Sequence, residues 1–178
     1  MAGRAQAKSR PMPLVHAPVN KIRAFLVDGQ LSARRAVMRW LENDAEIVVV
    51  AQFTNGTEAA RALEKDTPEL LFVGADLPDM VGFKLAEATG DGPSPVVVVM
   101  TSSDRDALQA FEVAAVDCVL KPLEEARFAL AVRRAKAEIN RRRTEALGNK
   151  ISHLLTHLQA LETRGVAPGV VNGTNGHA

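Results

Sequence analysis

The sequence predicts a doubly wound α/β fold, a five-stranded parallel sheet with helices packed on both faces. Three observations predict it. Five short apolar runs are present, from Ile22 to Val27, Ile47 to Phe53, Leu70 to Val73, Val96 to Met100 and Val116 to Leu120. They are largely continuous rather than alternating, which is the pattern of strands buried on both faces. Amphipathic stretches fill the intervals, and strands alternating with helices over short connections form one parallel sheet through right-handed crossovers.

The elements follow in order. After the first strand, Leu31 to Asn43 places Ala33, Val37 and Leu41 on one face and Arg34, Arg35 and Arg39 elsewhere, so a helix with one buried stripe is expected. Asn55-Gly56 marks a turn before a shorter, alanine-rich helix from Thr57 to Lys65. Phe83 to Ala88 supplies a third helix, and Asp104 to Ala114 a fourth, with Ser103 as N-cap and Asp104 and Asp106 in its first turn. Beyond Pro122 the pattern becomes one long helix from Glu124 to about Arg164, with Gly148 as its only interruption.

Composition supports this class. Of 178 residues 47% are hydrophobic but only 4% aromatic, with no tyrosine, so the core must be built from Val, Leu, Ile and Ala. Lys plus Arg number 22 against 21 Asp plus Glu, which excludes a generically basic nucleic-acid binder and an acidic disordered chain. The single cysteine, Cys118, precludes an internal disulfide, and no apolar run approaches a membrane span. Residues 1–20 carry Arg4, Lys8 and Arg10, three prolines and no secretory apolar core, and are expected to be a disordered basic arm of a cytoplasmic protein.

Open parallel sheets bind ligands at the carboxyl ends of their strands. That directs attention to Asp28 and Gly29, Gly74, Thr101, and Lys121 with Pro122. No phosphate-binding loop or dinucleotide fingerprint follows the first strand, and no nucleophile and base are paired at these ends. A hydrolase or nucleotide-binding protein on the same scaffold is therefore the weakest of the readings.

Taken together, residues 21 to about 140 resemble the receiver domain of two-component response regulators, closest to receivers of the LytTR class. The resemblance is carried by Phe25-Leu26-Val27-Asp28, by Leu77-Pro78-Asp79-Met80-Val81-Gly82-Phe83, by Val98-Val99-Met100-Thr101, and by Ala110-Phe111-Glu112-Val113 through Asp117-Cys118-Val119-Leu120-Lys121-Pro122. Glu125-Ala126-Arg127-Phe128 completes the last and most specific block. The resemblance implies a receiver-like domain over 21–130, with Mg²⁺ held by acids after the first strand and phosphoryl accepted by an aspartate ending the third. Here the paired acids read Asp28-Gly29, followed by Gln30, and the acceptor position, four residues before Pro78, is Gly74.

Glycine offers no carboxylate, so the resemblance implies a degenerate pocket, no cofactor, weak or absent Mg²⁺ binding and no enzymatic activity. Thr101 and Lys121 match the family's phosphate-contacting hydroxyl and amine. With no metal to balance it, Lys121 is expected to pair with Asp28 directly or through water, and the resemblance implies that the Lys121-Pro122 bond is cis. Cys118 holds the position of the family's aromatic switch, which its small side chain argues against; a packed thiol is the plainer reading. The alternative is a phosphorylatable fragment of a LytTR-type DNA-binding regulator that uses Asp76, two residues after Gly74.

Along the long helix, Leu147, Ile151, Leu154, Leu158 and Leu161 recur at heptad spacing, with Ile151 and Leu158 at a and the others at d. This arrangement predicts a two-stranded parallel coiled coil over 131–164 and a homodimer, assisted by the fourth-helix, fifth-strand and fifth-helix surface; a helix folded back on its own domain is the alternative. Arg133, Arg134, Lys136, Arg141, Arg142 and Arg143, opposed only by Glu138, read as a solvated face, with nucleic acid or an acidic partner the alternative. Residues 165–178 read as a flexible tail. LytTR-class regulators continue into a β-rich DNA-binding domain, and no strand-rich segment remains here. The expectation is either a fragment lacking its output domain, touching nucleic acid only through that domain, or a stand-alone pseudo-receiver. The latter would regulate signalling or transcription by dimerisation and contact with a protein partner, without a membrane.

Overall fold

A computed structural model describes residues 21–87 and 94–165. Five strands, β1 (Ile22–Val27), β2 (Ile47–Phe53), β3 (Leu70–Gly74), β4 (Val96–Thr101) and β5 (Asp117–Leu120), alternate with α1 (Leu31–Leu41), α2 (Gly56–Leu63), α3 (Gly82–Glu87), α4 (Asp106–Glu112) and α5 (Glu125–Gly165). The strands are all parallel in the order β2-β1-β3-β4-β5. This is the doubly wound class that the continuous apolar runs predict, and the order reverses after β1, which opens a crevice at the carboxyl ends of β1 and β3.

Two apolar layers sandwich the sheet. On one face Leu26, Phe72, Val98 and Met100 pack against Val37 of α1 and Phe128 and Ala131 of α5. On the other, Phe25, Leu71, Val73 and Val99 pack against Ala59 of α2, Leu85 of α3 and Ala110 of α4. β1 and β3 are buried on both sides, which is why their sequences show no polar alternation. At the edge, the β1–β2 register skips Val50, a bulge that interrupts the free margin of β2.

The element ends depart from the sequence reading for local reasons. α1 stops at Leu41 rather than Asn43, because the Asp44 carboxylate accepts from the amides of Glu46 and Ile47 and builds the turn into β2. α2 begins a residue early, at Gly56, since Asn55 is a cap whose side chain accepts from Glu58 N at 2.9 Å. α4 starts at Asp106, not Asp104. Ser103 Oγ accepts from Arg105 N and stabilises a turn ahead of the helix instead of capping its first turn. Ala114, at φ 54°, stands in the left-handed region and ends the helical path before β5.

The chain divides into two compact units, 1–139 and 140–178. In the first, α5 buries Phe128, Ala131, Val132, Ala135 and Ile139. Its sheet-covering part therefore runs past residue 130 to Ile139, since the buried stripe keeps helical spacing that far. The expected arm at 1–20 and tail beyond 165 lie outside the described residues, as does Ala88.

Candidate functional site

The crevice at the strand ends is organised around Asp28. Its amide donates to Phe53 O at 3.1 Å, which extends the β1–β2 pairing by one residue. Its Oδ1 accepts from Gln30 N at 2.8 Å, a local turn that fixes the side chain's direction. The Arg34 guanidinium donates to its carbonyl at 2.6 Å. Oδ2 then lies 2.6 Å from Lys121 Nζ, with the two side chains 0% and 7% exposed. This contact is direct. It pairs the charges without hydrogen-bond alignment, since Oδ2 has no properly directed donor.

Lys121 reaches this point from β5. Its amide donates to Thr101 O at 2.7 Å, and its bond to Pro122 is cis. Removing one partner of a buried pair costs about 3–5 kcal/mol, so each ion holds the other in place.

Gly74 closes the group. A β-carbon at this position would stand 2.7 Å from Asp28 Oδ2 and 2.9 Å from its Cγ. The Asp28 carboxylate thus occupies the space that a side chain at the end of β3 would need. Glycine is required at Gly82, where a β-carbon would come within 2.0 Å of the backbone oxygen of Gly74; the Gly82 amide donates to Ala75 O at 2.8 Å. The start of α3 therefore sits directly on the end of β3.

The remaining sequence-derived residues are not gathered in. Thr101 is buried, but its hydroxyl donates to the Asp106 carboxylate and accepts from Ser103 N at 3.0 Å, so it is committed to the entry of α4. Asp76 is exposed, its backbone bridged to Val81. Gly29 is also exposed and brings no acid. Cys118 is half-buried on β5; burial, and then the Asp117 charge, push its thiol above the ordinary range.

Three carboxylates that sequence reasoning did not single out shape the surroundings. Asp79, in the loop after β3, accepts from the amides of Gly56 and Thr57, each at 2.8 Å, and from the Thr57 hydroxyl. The Thr57 hydroxyl and the Gly56 amide hold its pKa down to about 2. This ties the loop carrying Asp76 to the N-terminus of α2. Asp117 receives both arms of Arg127, at 2.6 and 3.0 Å, and Arg134 at 3.0 Å. Burial alone would raise its pKa, but Arg127, the Cys118 amide and Arg134 hold it below the usual range. Asp44 takes Lys136 at 2.8 Å and is likewise held low against the opposing effect of burial. Thr57 lies 22 residues from Asp79 and Lys136 lies 92 from Asp44, so neither pairing was legible along the chain.

Comparisons with known proteins agree with this architecture. The family description "response regulator receiver domain" matches residues 24–133. The transcriptional regulatory protein BtsR of Escherichia coli K12 is 30% identical over 117 residues, covering 66% of this chain and 49% of that protein. A response regulatory protein of Vibrio cholerae is 32% identical over 111 residues, covering 62% and 47%. The chain spans about half the length of the curated relatives it matches. Among solved structures, the response regulatory domain of mrkE from Klebsiella pneumoniae aligns with a TM-score of 0.62 at 21% identity, covering 67% of this chain and 98% of that one; this likeness concerns the fold alone.

Proposed function

The chain belongs to the response regulator receiver family, and from that premise we propose that it is a non-enzymatic receiver module that signals without phosphorylation at residue 74. One observation carries the reading: the space beside Gly74 is filled by Asp28, whose carboxylate is bound to Lys121. Acyl phosphate formation needs a carboxylate nucleophile, and the end of β3 has none. The donor set does not fit a divalent metal either. Mg²⁺ requires several hard oxygens, whereas Gly29 and Gly74 supply no carboxylate and the Asp28 charge is already balanced by an ammonium.

In this reading Lys121 takes over the metal's role of neutralising Asp28, and the crevice is held in one state. The protein then acts in the cytoplasm through self-association and contact with a signalling or output partner. Its likeness to transcriptional regulatory proteins supports a role in regulating transcription. Nucleic acid would be reached through an output domain rather than through the receiver.

Titration with beryllofluoride and Mg²⁺, followed by amide NMR, tests the proposal. The expected result is unchanged resonances for Thr101, Lys121 and residues 74–76, whereas a saturable shift at these residues would overturn it. Incubation with a small-molecule phosphodonor and intact-mass analysis tests the competing reading, which rests on the exposure of Asp76. An added phosphate that disappears in Asp76→Asn would establish that reading instead.

A further inference from the structure

A second concave surface lies away from the strand ends, between α1 and β2. β2 ends the strand order and has no strand on its outer side among the described residues, and α1 packs beside it, which leaves a groove of about 680 Å³. Its apolar part is formed by Leu31, 51% exposed, with half-buried Met38, Val48 and Val49. Lys21, Arg34, Arg35 and Arg39 line it against two acids, Glu42 and Asp44. The balance is more cationic than this count implies, because Asp44 is already bound to Lys136 at 2.8 Å. Arg34 is turned to the Asp28 carbonyl, and the Arg39 guanidinium stands 5.9 Å from the Trp40 ring. No ion pair engages Lys21, Arg35 or Arg39 among the described residues. Arg35 and Arg39 are exposed and share one face of α1, a like-charge pair at i and i+4 that costs the helix stability unless something acidic meets it.

We propose that this groove is a docking surface for an acidic segment of a protein partner, with the partner's apolar side chains between Met38 and the valines of β2 and its carboxylates on Arg35, Arg39 and Lys21. The inference rests on the partner contact in the proposed function and gives that contact a place and a chemistry. Charge selects the occupant, since a guanidinium fork matches a carboxylate in two parallel hydrogen bonds. The chain's own flanking segments do not supply that charge: residues 1–20 and 166–178 contain no Asp or Glu. A second copy placed across a two-fold axis would set the same cations against one another. Nucleic acid would satisfy the cations, but none of the lining residues is aromatic, so bases would find no ring on which to stack. Leu31, Met38, Val48 and Val49 are covered only by a partner that brings apolar side chains along with its acids.

Fluorescence anisotropy on the intact chain tests this with a labelled peptide in which glutamates flank spaced leucines. Saturable binding is expected, and the double variant Arg35→Glu/Arg39→Glu is expected to weaken it by about tenfold or more. Replacing the peptide's glutamates by glutamines, or its leucines by serines, should each remove most of the binding, and amide NMR should place the largest shifts at Met38, Val48 and Val49. Both substituted arginines are exposed, so the variant is expected to melt with the parent chain; Arg35→Gln/Arg39→Gln, which adds no charge, gives the same reading should the reversal disturb folding. Equal affinity for the parent and the variant, or no saturable binding, would overturn this surface while leaving the phosphate-independent pocket, which the beryllofluoride titration tests separately, standing. Tighter binding of a single-stranded oligonucleotide of equal charge would overturn the peptide in favour of nucleic acid. A mass in light scattering that halves in the charge-reversed chain would overturn it in favour of a second copy.

Discussion

Residues 125–139 and residues 140–161 of α5 carry apolar stripes of similar spacing, yet the first is buried and the second is at least half exposed. Phe128 is 1% exposed, and its ring sits 5.3 Å from that of Trp40 and 5.4 Å from that of Phe72. Leu154, on the other part of the same helix, is 64% exposed. Helical periodicity thus specifies which face is apolar but not what covers it. In the first region the sheet supplies the cover, and the same is true of charge: Lys136 meets Asp44 and Glu46, and Arg134 meets Asp117.

The comparison can be broken at several points. The largest effect is expected from Phe128→Ala, which should lower unfolding stability by about 3–5 kcal/mol in urea titration. A loss below 1 kcal/mol would mean that the buried region of α5 is no better packed than the exposed one. Lys121→Met should cost about 3 kcal/mol, because it leaves Asp28 charged and buried. The double variant Asp28→Asn/Lys121→Met should recover more than half of that loss, and failure to recover would show that the pair does not act as a unit. Gly74→Ala should cost about 1–3 kcal/mol by overpacking against Asp28; a neutral result would indicate that the carboxylate moves aside freely.

Acid sharpens the contrast further. Asp79, Asp44 and Asp117 all have folded pKa values below their unfolded ones, so their stabilisation is complete above about pH 4. It is lost as pH falls, with the Asp79 share disappearing through about pH 2. Thermal melts of the intact chain should therefore decline below pH 4, and Asp79→Asn should flatten that decline. The smallest effect on unfolding is expected in the exposed stripe. Leu154→Ser should change the stability of the receiver unit by less than about 0.5 kcal/mol while lowering the mass seen by light scattering to that of a monomer.

Much of the fold was legible because it is written in short-range pattern. The runs at Ile22–Val27 and Ile47–Phe53 match β1 and β2, and the other strands agree to within a residue at each end. Asp28, Gly74 and Lys121 were legible as strand ends. What was not legible required the third dimension. Thr101 matches the family's phosphate-contacting hydroxyl by position alone, and nothing in that match shows that the hydroxyl donates to Asp106, five residues later, at the start of α4. Asp79 gave no sign that it would cap α2, because Gly56 and Thr57 precede it by a full β-α unit. Leu155 lies outside strict a/d spacing, so the heptad pattern does not mark it, although it is as exposed as its neighbours.

The sequence by itself determined the order of strands and helices, the absence of a carboxylate at residue 74 and the heptad register of the exposed leucines, since each depends on residue identity and spacing along the chain. Only the tertiary structure decided that Asp28 fills the room beside Gly74 and meets Lys121. That outcome depends on β1, β3 and β5 running parallel, so that their carboxyl ends lie at the same end of the sheet, where a buried ammonium and a buried carboxylate must balance one another and a β-carbon would crowd the carboxylate.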